Sequence, residues 1–248
     1  MGVNQMVGVL RREGEVKSST AGGEYVDVLG ERDPIGTNRG QQLFRKKLLT
    51  VIYERVWRPL ISRFFFGLRG PSAEEERAIT MDLLEISPGE RLIDVGCGTG
   101  NYTRWLARET RDGLVVGTDA SEAMVAAAAA RDSADNAAYL RADACDLPFD
   151  DGSFDAACSV GVVHMIEQPM AAIDEMVRVI APGGRLVLVV SCGPDGKPAH
   201  KRGGVTIFAR DEVTEALRER GLCEIRQRVV RRGQFVAARK PLEATVGG

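Results

Sequence analysis

The chain has 248 residues, 44% hydrophobic and 27% charged, with a formal net charge of −2, enough to bury a full core in one domain and too balanced for a dedicated nucleic-acid binder. Two histidines without paired ligand spacing exclude a metal site, and five cysteines without a C-x-x-C pair point to reduced thiols and a cytoplasmic location. No apolar run approaches membrane-span length, and Met6–Leu10 precedes the basic pair Arg11-Arg12, the reverse of a signal peptide.

In chain order, residues 1–40 are rich in Gly, Ser, Thr and charge without a sustained period and read as a disordered extension. Residues 41–70 read as a helical lid. Phe44, Leu48, Val51, Ile52, Val56, Leu60 and Phe64 recur at helical spacing, Pro59 divides the pattern in two, and basic side chains alternate with Tyr53, Trp57 and Phe65. A basic, aromatic amphipathic segment of this kind also suits a peripheral membrane contact. The remaining domain, 71–248, opens on the capping box Ser72-Ala-Glu-Glu, which predicts a helix to about Leu84. Strands are then predicted near 91–95, 114–119, 138–142, 154–159, 184–191, 222–231 and 234–239, with helices near 101–111, 121–132, 169–180 and 210–220. Such alternation means an α/β fold with a parallel sheet and right-handed crossovers, and the turn at Arg232-Gly233 makes the last two strands antiparallel.

The segment that carries chemistry is Leu92-Ile-Asp-Val-Gly-Cys-Gly-Thr-Gly100. An apolar strand containing Asp94 runs into Gly96, Cys97, Gly98 and Gly100, and a helix follows, so that a ligand can lie against bare backbone. Asp119 closes the next apolar run, where a carboxylate can accept from both hydroxyls of a ribose. The dinucleotide fingerprint G-x-G-x-x-G is not met, because the third glycine comes one residue early and Asn101 takes the last place. Asp94, two residues ahead of Gly96, would repel a phosphate. A ligand with a ribose, no phosphate and a positive charge fits instead.

On these residues the chain, from about Pro71 to Lys240, resembles the class I S-adenosylmethionine-dependent methyltransferases, with similarity to the ubiquinone and menaquinone methyltransferase group in the segment Leu147-Pro-Phe149 to Phe154-Asp155. The resemblance implies a Rossmann-like seven-stranded sheet in the order 3-2-1-4-5-7-6, strand seven reversed, with helices on both faces. It implies S-adenosyl-L-methionine held by Asp94, Gly96, Cys97, Gly98, Gly100, Asp119, Ala120, Met124, Asp143, Ala144 and Ser159, with Asp143 on the adenine amino group. His164, after the fourth strand, reads either as a general base or as a hydrogen-bonded wall residue. Tyr53, Trp57 and His164 are the expected acceptor contacts.

The expected reaction is in-line methyl transfer to a small molecule at a hydroxyl, phenol or quinol, amine or activated carbon. A lipid or prenylated acceptor at a membrane surface and a non-catalytic cofactor-binding protein are the alternatives. No Asn/Asp-Pro-Pro-Tyr follows the fourth strand, and the arginine and asparagine usual near His164 in quinone-ring enzymes are missing. With Asp94, Gly96, Asp119 and Asp143 all in the core, removal of residues 1–66 is expected to leave cofactor binding within a few fold while methyl transfer collapses.

Overall fold

The computed structural model describes residues 6–8, 10–11, 14–19, 22–32, 71–131, 134–193, 196–202 and 205–242. The lid expected over 41–70, with Tyr53 and Trp57, lies outside the described residues.

The framework runs β1 (Glu15–Ser18), β2 (Glu24–Asp27), α1 (Ala73–Leu84), β3 (Arg91–Val95), α2 (Asn101–Thr110), β4 (Leu114–Asp119), α3 (Glu122–Arg131), β5 (Ala137–Arg141) and β6 (Phe154–Val160). It continues through a 3-10 turn (Val163–Met165), α4 (Pro169–Val179), β7 (Ile180–Ser191), β8 (Ala199–Arg202), β9 (Val205–Ile207), α5 (Glu212–Glu219), β10 (Cys223–Val230) and β11 (Gly233–Arg239). Nine strands form one sheet in the order β1-β2-β5-β4-β3-β6-β7-β11-β10, and β8 with β9 forms a separate hairpin. Pairing is parallel from β2 through β7 and antiparallel at β1–β2, β7–β11 and β10–β11.

The central strands are continuous apolar runs because helices cover both faces of the sheet. The pleat divides them by parity. Ile93, Val116, Ala157, Leu186 and Leu188 pack on one face, whereas Leu92, Val115, Ala156, Cys158 and Val187 pack with Leu106 on the other. Helix α1 starts on both arms of its capping box: Glu75 N donates to Ser72 Oγ at 3.1 Å, and Ser72 N donates to Glu75 Oε2 at 2.7 Å.

Two expectations are corrected. The sheet has nine strands where seven were expected. The extra two come from residues 1–40, expected to be disordered. Val26 pairs with Leu140 and is fully buried, and Met6 enters the main core cluster. The turn between the two strands rests on α3, where a Cβ on Gly23 (φ +86) would lie 2.2 Å from the Ala129 carbonyl oxygen. The alanine-rich helix admits this approach because its side chains are short. Predicted elements thus have a partner that a local reading of residues 1–40 does not reveal.

Candidate functional site

The carboxyl ends of β3, β4, β5 and β6 converge at one edge, the ordinary ligand position in an open α/β sheet. Beyond Val95 the chain turns through Gly96 (φ +80), Gly98 (φ +55) and Gly100 (φ +78), the last capping α2. The amides of Gly96 and Cys97 both donate to the Thr118 carbonyl, at 2.7 and 2.9 Å, tying the loop to β4. The three glycines have different reasons. A Cβ on Gly96 would meet Val162 at 2.4 Å, and one on Gly100 would meet the Tyr139 hydroxyl at 2.7 Å. One on Gly98 would meet nothing within 4 Å, since it faces an open cleft.

That cleft is lined by Asp94, Gly96, Cys97, Gly98, Thr99, Asn101, Tyr102, Val160 and Val162. Asp94 is 2% exposed; its Oδ2 accepts from Thr103 Oγ1 at 2.7 Å, and Cys158 Sγ lies 3.8 Å from its Oδ1. Burial, with the nearby Asp119 charge, pushes its pKa up to about 6 against the hydrogen bond from Thr103. Asp119 accepts from Gly98 N at 3.0 Å on Oδ2 and from Ser121 N at 2.8 Å on Oδ1. Burial raises its pKa and these two amides oppose the rise. A cleft walled by bare backbone and the buried Asp94, with Asp119 tied to the loop beside it, suits a cationic ligand without phosphate. Cys97 is a packing residue: burial, then the two acids, hold its thiol well above the usual range.

Residues 93–188 match the sequence profile of a family described as a methyltransferase domain. Demethylmenaquinone methyltransferase of Beutenbergia cavernae is 39% identical, over 49% of this chain and 49% of its own. An uncharacterized chloroplastic methyltransferase of Arabidopsis thaliana is 33% identical, over 65% of this chain and 46% of its own. Over residues 93–188 the chain is thus similar to methyltransferase domains. It spans about half the length of the curated relatives it matches. Solved structures share the fold. The [4+2]-cyclase SpnF has a TM-score of 0.62 at 22% identity, covering 79% of this chain and 97% of its own. A Haemonchus contortus phosphoethanolamine N-methyltransferase in complex with S-adenosyl-L-methionine has the same TM-score at 17% identity, covering 79% and 57%.

Asp94, Gly96, Cys97 and Gly98 of the expected cofactor set line the cleft, with Gly100 buried beneath it. Asp119 ends β4, Ala120 follows it and Met124 lies in the first turn of α3, while Asp143 and Ala144 follow β5. Asp143 is buried, and its Oδ1 accepts from Cys145 N at 2.9 Å. Ser159 is a correction: it is 0% exposed and its hydroxyl donates to the Val95 carbonyl at 2.7 Å, joining β6 to β3. Parity hands the cleft to Val160 and, beyond Gly161, to Val162. Thr99, Asn101, Tyr102, Val160 and Val162 are lining residues that the sequence reading missed; for the first three the step from glycine loop to helix start was the available signal.

His164 sits on the 3-10 turn, 3% exposed, and burial pushes its pKa down to about 4. It is neutral near pH 7, but its affinity for a proton is too low to match a base poised near neutrality. Strand β9, not among the strands predicted from the sequence, packs against this turn, and Thr206 Oγ1 is buried there without a hydrogen-bond partner among the described residues. A buried hydroxyl of this sort costs about 1–3 kcal/mol unless a group from outside meets it. Among the described residues no cluster could hold a metal ion, and no helix is long and apolar enough to cross a membrane.

Two expected results follow. Gly98→Val places a branched side chain in the open cleft and should abolish cofactor binding while circular dichroism stays native; normal affinity would show that no ligand approaches Gly98. For His164→Ala, a wall residue should change turnover less than about tenfold, whereas a general base should lose about 10²–10⁴-fold. Steady-state kinetics of the purified variant decide between them.

Proposed function

We propose that the chain transfers the methyl group of S-adenosylmethionine to a small-molecule acceptor in the cytoplasm. The observation that carries this reading is the cleft itself: Gly98 open to it, Asp94 buried in its wall, and Asp119 tied to the glycine loop at the end of β4. Numbered from Arg91, the core strands run 3-2-1-4-5-7-6 with the last antiparallel to its neighbours, which supports the class I reading. Relatives named for demethylmenaquinone and for 27-O-demethylrifamycin SV support a small, ring-bearing acceptor.

When bound, the cofactor supplies an activated methyl on a sulfonium, so the protein's work is placement and exclusion of water. Gly96 and Gly98 would offer bare backbone, Asp119 the ribose acceptor, Asp143 the adenine acceptor, and Asp94 the negative charge facing the cationic end. Val160 and Val162 wall the cleft beyond β6. The five cysteines, all free, support the cytoplasmic location.

Calorimetric titration with S-adenosylmethionine, S-adenosylhomocysteine and NAD tests the reading. The first two should bind and NAD should not. Asp119→Ala removes a charged acceptor and should weaken cofactor binding by roughly 1.5–3 kcal/mol; unchanged affinity sinks the assignment. A methyl-transfer screen over phenols, quinols and amines then identifies the acceptor.

A further inference from the structure

Arg141 stands at the carboxyl end of β5 with an acid on either side. Its Cα partner in β4 is Asp119 and its Cα partner in β2 is Asp27, so three strand ends in a row carry Asp119, Arg141 and Asp27. The Asp27 carboxylate is fully buried and has four donors. Lys17 Nζ at 2.6 Å and Arg141 Nη1 at 3.0 Å reach Oδ2, and the amides of Leu29 and Gly30, each at 2.9 Å, reach Oδ1. Arg141 Nη1 also donates to the Gly30 carbonyl. Its Nε reaches the other way, to the carbonyl of Ala120 at 3.4 Å, the residue after Asp119. Ala142 N donates to the Asp119 carbonyl at 3.2 Å.

The same hairpin takes hold of the far end of that loop. Tyr25 Oη donates to Glu122 Oε1 at 2.9 Å, and Lys17 Nζ lies 3.7 Å from the same oxygen. The loop Asp119–Ala–Ser–Glu122 is therefore held at Ala120 and at Glu122 by groups that the β1–β2 hairpin supplies or orients. Buried ion pairs contribute little net stability compared with apolar packing of the same volume. What a four-donor carboxylate and a forked guanidinium do fix is direction.

We propose that the N-terminal hairpin is a positioning element for the nucleoside end of the cofactor, with Asp27–Arg141 and Tyr25–Glu122 as two clamps that set the place of Asp119. This rests on the methyltransferase reading of the cleft. None of the clamp residues is catalytic. They act through the Asp119 loop, and a protein lacking them would fold around a misplaced acid. A hairpin added only for stability would need apolar pairs on β5, not a guanidinium that spans two strands.

The test is calorimetric titration of the full-length protein with S-adenosylhomocysteine and with adenosine, well below each variant's unfolding midpoint. Arg141→Met should weaken both ligands by the same factor, about tenfold, because the loss lies at the nucleoside; Tyr25→Phe should weaken them about two- to fivefold. Placed on Asp119→Ala, either change should add less than twofold, since the group it positions is gone. Variants that melt earlier but bind with wild-type affinity overturn the proposal, as does a full additional loss on Asp119→Ala. If Arg141→Met does not fold, Tyr25→Phe, which removes a single hydroxyl, decides alone. Wild-type protein without affinity for S-adenosylhomocysteine overturns the cofactor reading and this proposal together; wild-type affinity with unaffected variants overturns the proposal alone.

Discussion

Asp94→Asn should make the ligand-free protein more stable at pH 7.5 and a worse binder of cofactor. The carboxylate is buried, and its folded pKa of about 6 lies above the ordinary value near 3.8. A folded pKa that is raised means stability fully present below about pH 4 and lost as pH rises through 6, when a charge must form inside the protein. At about 1.36 kcal/mol for each pH unit, the loss is on the order of 3 kcal/mol above pH 7. Asparagine keeps an oxygen for Thr103 and carries no charge, so it should recover part of that loss while binding a cationic ligand at least about tenfold more weakly.

His164 runs the other way. Its folded pKa of about 4 lies below the ordinary 6.5, so its stability is full above pH 6.5 and falls as pH drops towards 4. In the wild type the two groups oppose each other across this window and their contributions nearly cancel. Urea titrations between pH 4 and 8 should therefore show a shallow profile in the wild type and a steeper loss towards acid in Asp94→Asn. An identical profile in the two proteins would mean that Asp94 is not a buried charge.

The elements read most easily from the sequence are those with local signals. Helix α1 announces itself through Ser72 and Glu75, and β4 and β7 through the apolar stretches Leu114-Val-Val116 and Leu186-Val-Leu-Val-Val190. The glycine loop and Asp119 were legible because backbone clearance and a strand-end acid are chemical demands that leave a fixed spacing. What was not legible depends on distant partners. Strands β1 and β2 have four residues each, and Val26 finds Leu140 more than a hundred positions away. Asp27 in isolation is one more charge in a polar stretch; only Arg141 and Lys17 turn it into a buried anchor. Ser159 was misjudged for another reason. Along a strand the two faces alternate, and whether a serine meets ligand or a neighbouring carbonyl turns on a single step of register.

The largest correction concerns truncation. From the sequence, a chain beginning at residue 67 should keep its cofactor site. In the structure that deletion removes Met6, Tyr25, Val26 and Val28, which are 0%, 3%, 0% and 7% exposed. At roughly 1.5–3 kcal/mol for each buried apolar side chain, the loss is on the order of 6–12 kcal/mol, an upper bound because unfolded chains already bury some surface. That range overlaps the whole stability of an ordinary domain, about 5–15 kcal/mol. The deletion also strips Asp27 from Arg141, whose side chain is 7% exposed, and an abandoned buried charge costs about 3–5 kcal/mol more. The edge of β5 would be left unpaired, with Phe149 no longer bridged by Leu10. The chain lacking residues 1–66 is thus expected to lose its cooperative urea transition, or to aggregate, and with it all affinity for S-adenosylhomocysteine. A truncated protein that unfolds cooperatively and binds with wild-type affinity would show that β1 and β2 are ornaments on a self-sufficient core, and that the ribose acid needs nothing from the N-terminus to hold its place.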